Sequence, residues 1–145
     1  MKLPVEYWKR AVLGATAAMA LVLVLSWAGS RVLPIAWLEP LNTRLGYLSP
    51  LNYLFVAAGM AAGGLIAGTR FVPWAAALAL VIWLATLAVL AGAVPNALDA
   101  PSPGLGKLVS LNLASILLTI AAAAAGALAG ARWGGSRPNP MRHAP

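Results

Sequence analysis

The chain has 145 residues, of which 61% are hydrophobic and 9% charged, and its formal net charge is +7. Soluble globular domains are about half apolar and about one quarter charged. Because a chain of this length has a high ratio of surface to volume, a soluble fold would leave much of its apolar surface in water. The composition therefore predicts an integral membrane protein. The absence of cysteine excludes disulfides, thiolate metal sites and cysteine nucleophiles.

The basic residues lie at the ends of apolar segments. This placement is typical of membrane topology and of contact with anionic lipid. A nucleic-acid-binding protein would instead carry a basic patch on a polar domain. We therefore expect membrane lipids as partners, and no nucleic acid.

Four apolar segments predict four transmembrane helices over about 8–29, 51–69, 74–94 and 108–131. A helix needs about 20 apolar residues to cross the hydrocarbon core, and its backbone groups must be paired within the segment. Prolines lie at the predicted boundaries, with Pro50 and Pro73 at helix starts and Pro95 after the third helix. The predicted fold is all-α, a four-transmembrane-helix bundle formed by residues 1–133.

The first apolar segment has an alternative interpretation as a secretory signal peptide. It follows a basic region and ends in the small residues Ala28, Gly29 and Ser30. Its apolar stretch of about 19 residues is longer than the usual 7 to 15 of a signal peptide. We therefore expect that the first helix is retained, and its cleavage is the alternative.

The distribution of Lys and Arg predicts the orientation. The N-terminus, the loop after the second helix and the C-terminal tail carry seven basic residues, whereas the other two loops carry Arg31, Arg44 and Lys107. Positive charge favours the cytoplasmic side. Both termini are therefore expected in the cytoplasm, with the protein in a bacterial-type inner membrane. Residues 134–145 are expected to form a disordered basic cytoplasmic tail.

The first loop, residues 30–49, is too apolar for a solvated linker and too charged to cross a membrane. It predicts short helical turns in the outer interface. Arg31, Glu39 and Arg44 are candidates for binding a lipid head group or a phosphate, and the nearby polar residues Tyr47, Asn52 and Tyr53 could join them. Interface anchors and surface ion pairs are the alternative.

Small residues recur at intervals of four in the second and fourth helices. The predicted packing residues are Gly59, Gly63, Gly64, Gly68, Gly126 and Gly130. Such strips let two backbones approach closely in lipid. Packing within one chain and packing between chains are both compatible with this pattern.

The same two helices end alike, with Gly64, Gly68 and Arg70 matched by Gly126, Gly130 and Arg132 at a constant offset of 62 residues. The match indicates a parallel duplication of a helical hairpin. Chance is the alternative, because Ala and Gly are abundant in this chain.

A polar face on the fourth helix is formed by Asn112, Ser115 and Thr119, which lie at i, i+3 and i+7. These residues predict hydrogen bonds to a neighbouring helix, and a hydrophilic path or small polar pocket is the alternative. Trp83, near the middle of the third helix, is interpreted as a lipid or packing contact, with the wall of a ligand cavity as the alternative.

No Asp, Glu, Lys, Arg or His lies within the apolar stretches of the predicted helices, the first of which starts at Ala11, and this argues against proton-coupled transport. The only histidine is His143 in the tail. We therefore expect no catalytic residue, no metal site, no cofactor and no enzymatic activity. The first interpretation is a non-catalytic accessory subunit, forming a homo-oligomer or part of a larger membrane complex, which the glycine strips favour. The alternative is a small uncoupled channel, facilitator or carrier of a lipid or small molecule.

Overall fold

The computed structural model describes residues 5–43, 46–98 and 104–135, which are almost entirely helical. The helices are α1 (Val5–Val32), α2 (Ile35–Leu38), α3 (Pro50–Ala67), α4 (Val72–Leu98) and α5 (Leu105–Gly135). A hairpin of β1 (Leu41–Thr43) and β2 (Gly46–Leu48) precedes α3, and a single 3₁₀ turn, Gly68–Phe71, joins α3 to α4.

Within the described ranges, three continuous helical runs are long and apolar enough to cross a membrane, namely Trp8–Val32, Pro50–Gly92 and Gly106–Gly135. The second run contains α3, the 3₁₀ turn and most of α4. Large apolar side chains cover the outside of the runs; Leu23, Val81 and Leu117 are each more than half exposed. An exposed apolar surface of this extent is typical of contact with lipid.

Close backbone contacts define the directions of the helices. Gly14 of α1 faces Gly63 of α3, and Gly59 of α3 faces Ala18 of α1. The residue numbers rise along one helix as they fall along the other, so α1 and α3 are antiparallel. Between α3 and α5, Ala57 contacts Gly126, and one turn later Ala61 contacts Gly130, so the residue numbers increase in the same direction along both helices. These two helices are therefore parallel.

Helix α4 packs antiparallel to α5. Trp83 donates a hydrogen bond to Thr119, and one turn later Leu87 packs with Ile116, which is earlier in α5. Since α5 is parallel to α3, the chain reverses between α3 and α4. The reversal occurs at Gly68, whose φ of 72° and ψ of −164° end α3. A backbone conformation of this kind is essentially confined to glycine.

The bundle has two distinct ends. One, here called the hairpin end, carries β1 and β2; an added Cβ at Gly46 would overlap the Leu111 carbonyl, so the hairpin lies against α5. The other, here called the turn end, carries the 3₁₀ turn, and there the rings of Trp8 and Trp74 pack edge to face with centroids 5.3 Å apart.

The hairpin departs from the prediction of helical turns alone in the first loop. Among the described residues between α1 and α3, only the four of α2 are helical. Gly46 permits the hairpin because its φ is 107°, in the left-handed region that favours glycine. The pairing of Asn42 with Tyr47 sets the antiparallel register.

The helix bounds also differ from the predicted ones. The helices extend about three residues past most apolar boundaries, and α4 continues through Pro95, which was expected to follow the helix. A proline removes a single backbone hydrogen bond, which the end of a long helix tolerates better than its centre. Helix α5 runs to Gly135, and the remainder of the predicted tail lies outside the described residues.

Candidate functional site

A cavity of about 260 Å³, here called the inner cavity, lies between α1, α3, α4 and α5 in the half of the bundle nearest the hairpin. At about 30 Å³ per molecule, it has room for roughly nine waters. Its lining comprises apolar residues (Val22, Val56, Ala79, Ile82, Trp83) and polar residues (Tyr47, Ser49, Asn52, Thr86, Asn112, Ser115, Thr119). All three residues of the predicted polar face on α5 are thus part of its wall.

One hydrogen-bond chain in the wall joins α3 to α5. The hydroxyls of Tyr53 and Ser115 lie 2.7 Å apart. The Tyr53 oxygen also accepts a hydrogen bond of 3.3 Å from the backbone N–H of Ser49, at the start of α3. Ser115 is 5% exposed. Since a buried hydroxyl without a partner costs free energy, this pairing stabilises the polar wall.

A second hydrogen bond joins α4 to α5. The indole N–H of Trp83 donates to the Thr119 hydroxyl at 3.0 Å, and that hydroxyl donates to the Ser115 carbonyl at 2.7 Å. Thr119 therefore uses its proton and accepts one hydrogen bond, which leaves it little capacity for a ligand. The indole ring is held as a fixed apolar surface of the cavity. Trp83 thus makes the expected packing contact between helices, and it also lines the cavity.

Two amide side chains in the wall retain hydrogen-bonding capacity. Asn112 donates to the Leu108 carbonyl at 2.9 Å, which leaves its own carbonyl oxygen and one N–H. Asn52 makes no side-chain hydrogen bond with any other residue that the structure describes. Both amides can therefore offer a donor and an acceptor to a molecule in the inner cavity.

None of the described side chains that line the inner cavity carries a charge. A charged molecule would have to leave water without a counter-charge, which costs many kcal/mol in an apolar setting. An uncharged molecule would lose only its hydrogen bonds with water, and the amides can replace these. The lining therefore selects against ions.

The inner cavity does not continue to the turn end. The side chains of Met60 and Phe71 are fully buried there, in a cluster with Ala75, Ala79 and Ala123. The Phe71 ring lies against Gly63, where an added Cβ would overlap it. In this conformation the cluster separates the inner cavity from the turn end.

The glycines predicted as packing residues have different neighbours. Gly59 and Gly63 face α1, and Gly63 also faces Phe71, whereas Gly64, Gly126 and Gly130 lie in the contact between α3 and α5. An added methyl group at Gly126 or Gly130 would overlap the α3 backbone. Gly68 departs from the prediction because nothing lies within 4 Å of its Cβ position, and its role is to reverse the chain.

The residues matched at the offset of 62 differ in their surroundings. Gly68 faces open space at the end of α3, whereas Gly130 contacts Ala61 in the interior of α5. Phe71 is fully buried, but its counterpart Trp133 is 74% exposed. Of the matched pairs, Gly64 and Gly126 both lie in the contact between α3 and α5, whereas Gly68 and Phe71 are packed differently from Gly130 and Trp133.

The predicted head-group residues are not brought together in one pocket. Arg31 is exposed in the last turn of α1. Glu39 is exposed beyond α2 and borders a largely apolar groove with Trp37, Pro50 and Leu54, of which Arg31 is not part. Arg44 lies outside the described residues. The polar residues expected beside them, Tyr47 and Asn52, line the inner cavity instead.

The wall contains residues for which the sequence has no signal. Val22, Val56, Ala79 and Ile82 are ordinary apolar residues of apolar helices, and their convergence depends on how the helices pack. Among the described residues, no group of three or more His, Asp or Glu could hold a metal ion. A comparison of the chain with protein-family models, curated proteins and solved structures finds no match.

Proposed function

We propose that the protein is a non-catalytic membrane protein that binds a small uncharged molecule in the inner cavity, as an uncoupled facilitator or carrier. The observation that carries this proposal is the position of the α5 polar face. Asn112, Ser115 and Thr119 line a cavity with Trp83, and they do not pack against the glycines of α3. Hydrogen-bonding groups converging in an apolar pocket are typical of a small-molecule site.

The proposed membrane arrangement has four crossings. A straight helix over Pro50–Gly92, 43 residues, would be about 64 Å long at 1.5 Å per residue. The hydrocarbon core is about 30 Å thick, and the run reverses at Gly68. Two crossings by α3 and α4 therefore fit better than one.

The proposed orientation has both termini in the cytoplasm and the protein in a bacterial-type inner membrane. The turn end carries the exposed basic residues Lys9, Arg10, Arg70 and Arg132, whereas the described charges of the hairpin end are Arg31, Glu39 and Lys107. The excess of positive charge favours the turn end as the cytoplasmic side. The inner cavity would then lie in the outer half of the membrane.

An accessory subunit or homo-oligomer is the second candidate function. Five of the six predicted packing glycines face groups of the same chain, so this interpretation rests on the sequence pattern alone. That interpretation stays a prediction. A parallel duplication of the helical hairpin likewise stays a proposal that rests on the sequence match alone.

The proposal is tested by solute uptake into liposomes containing the purified protein, with glycerol as an uncharged probe and light scattering as the measure of volume. We expect glycerol to enter faster than it enters protein-free liposomes, without any increase in ionic conductance. Asn112→Leu removes an amide of the wall and should slow uptake about three- to tenfold, the equivalent of one hydrogen bond of about 0.5–1.5 kcal/mol.

Asn42→Leu is the matched control, because Asn42 is exposed on β1 and does not line the inner cavity. It should leave uptake unchanged. Native mass spectrometry of the solubilised protein provides a second measurement, in which a bound uncharged molecule should be retained by the unmodified chain and lost from Asn112→Leu. Uptake equal to that of protein-free liposomes together with an empty, monodisperse protein would refute the proposed function.

A further inference from the structure

A second cavity adjoins the inner cavity near the hairpin end. It measures about 200 Å³ and lies between α1, α2 and α3. Its wall is formed by Ser26, Trp37, Leu38, Ser49, Leu51, Asn52 and Phe55. We call it the vestibule. Trp37, at 67% exposure, and the exposed Asn52 stand at its rim, so the vestibule opens to the outside of the bundle.

The vestibule and the inner cavity share two wall residues, Ser49 and Asn52. Next to them, the Tyr53 hydroxyl accepts the Ser49 N–H and pairs with Ser115. The partition between the two spaces is therefore polar. A polar partition can exchange its hydrogen bonds with a passing molecule, whereas a closely packed apolar wall has no such partner to offer.

Asn52 occupies a distinctive place in this partition. It lines both spaces, is exposed, and has an amide without a hydrogen bond to any described residue. One turn later on the same face of α3, the Phe55 ring lies against Gly29 of α1, where an added Cβ would be 2.8 Å from the ring. Phe55 is thus packed in place, whereas the exposed Asn52 side chain is not held by a hydrogen bond to any described residue.

We propose that the vestibule is the access route to the inner cavity, and that Asn52 selects uncharged molecules bearing both a hydrogen-bond donor and an acceptor. This inference rests on the proposed function. An alcohol, polyol or carboxamide would exchange hydrogen bonds first with Asn52 and then with Asn112. The apolar surface of Trp83, Val56 and Ile82 would cover the rest of the molecule.

The size of the inner cavity limits the molecule further. Its volume of about 260 Å³ corresponds to on the order of ten non-hydrogen atoms, if each with its hydrogens occupies about as much space as a water. No described side chain in the walls of the two cavities is charged, which disfavours ions along the route. A phospholipid is too large for either space, so the ligand is a small solute.

The access route is tested by placing single cysteines in the naturally cysteine-free chain. Ser26 lines the vestibule, whereas Ser30, one turn later on α1, is exposed and lines neither cavity. Ser26→Cys and Ser30→Cys are each reacted with N-ethylmaleimide in glycerol-permeable liposomes, and labelling is verified by mass. Labelling of Ser26→Cys should reduce glycerol uptake to that of protein-free liposomes, and labelling of Ser30→Cys should leave it unchanged.

Selection by Asn52 is tested in the same liposomes with acetamide, glycerol and potassium acetate. Asn52→Leu should slow acetamide and glycerol about three- to tenfold, as expected for one lost hydrogen bond, and Asn42→Leu should not. Asn52→Gln keeps the amide but changes the length of the side chain. If it restores uptake, the amide is the selecting group, because a purely structural role of Asn52 would depend on side-chain shape and not on the amide.

The outcomes separate this inference from the proposed function. Suppose the unmodified chain transports glycerol. If labelled Ser26→Cys then transports it equally well, or if Ser26→Cys cannot be labelled, the vestibule is not the route, and the proposed function stands. If Asn52→Leu matches the unmodified chain, Asn52 does not select. If the unmodified chain itself neither transports nor binds an uncharged solute, the proposed function fails and the inference fails with it.

Discussion

Gly68 determines, as a single residue, where α3 ends and α4 begins. Its φ of 72° and ψ of −164° lie in a region that side chains with a Cβ avoid. Nothing lies within 4 Å of the position that a Cβ would occupy, so a substitution is limited by the backbone and not by space. Gly68→Ala should lower the free energy of unfolding by about 1–3 kcal/mol, the usual cost of such backbone strain.

This prediction is checked by reversible unfolding in mixed micelles, followed by circular dichroism. Gly92→Ala is the control, because Gly92 lies in α4 and also has open space around its Cβ position, but has no positive φ. Alanine has the higher helix propensity by about 1 kcal/mol, so Gly92→Ala should maintain or raise stability. If Gly68→Ala and Gly92→Ala lose the same free energy of unfolding, the backbone conformation at position 68 does not disfavour a side chain.

At the scale of elements, the contact of α3 with α5 depends on backbone atoms approaching each other. An added Cβ at Gly130 would overlap the Ala61 carbonyl and lie 2.9 Å from the Ala61 Cα. Backbone atoms cannot rotate away as a side chain can, so Gly130→Ala must push the helices apart. We expect a loss of about 1–3 kcal/mol, as for other overpacked contacts.

Thermal unfolding followed by tryptophan fluorescence in a mild detergent measures this loss. Gly106→Ala is the matched control on the same helix, since nothing lies within 4 Å of its Cβ position. Its melting temperature should equal or exceed that of the unmodified chain. If Gly130→Ala melts together with Gly106→Ala, the close approach of α3 and α5 does not contribute to stability.

At the scale of the whole molecule, the proposed four crossings predict which residues face each side of the membrane. Asn42 and Gly104 are exposed at the hairpin end, and Thr69 and Gly135 are exposed at the turn end. Because the chain has no cysteine, one substituted cysteine at a time gives an unambiguous signal. A membrane-impermeant maleimide added to intact cells should label Asn42→Cys and Gly104→Cys.

Thr69→Cys and Gly135→Cys should react only after the membrane has been permeabilised. Labelling of Thr69→Cys in intact cells would exclude the reversal of the Pro50–Gly92 run at the cytoplasmic face. Labelling of all four positions from outside would exclude the membrane arrangement as a whole. Expression of each variant is verified by reaction of the denatured protein, so that an unreactive position is distinguished from an absent one.

The sequence by itself determined which segments are helical and apolar, because a run of uncharged apolar residues is a local property. Three candidate spans among the described residues cover the four predicted segments, the second and third of which fall in one run, and the helices differ from the predictions mainly at their ends. The α5 polar face was also predictable, since Asn112, Ser115 and Thr119 share one side at helical spacing. The hairpin was not predicted, because its three-residue strands are too short to show an alternating pattern.

Only the tertiary structure decided what the polar face and the glycines contact. Helical spacing establishes that residues share a face, but the neighbour of that face depends on how the helices are arranged. The structure thereby places the polar face on a cavity with Trp83 and Asn52, and directs the glycines to helices of the same chain. Helices α1 and α4 are in contact through Trp8 and Trp74 at the turn end, and Val22 of α1 and Ile82 of α4 line the cavity toward the hairpin end, a convergence that depends on helix packing and not on local sequence.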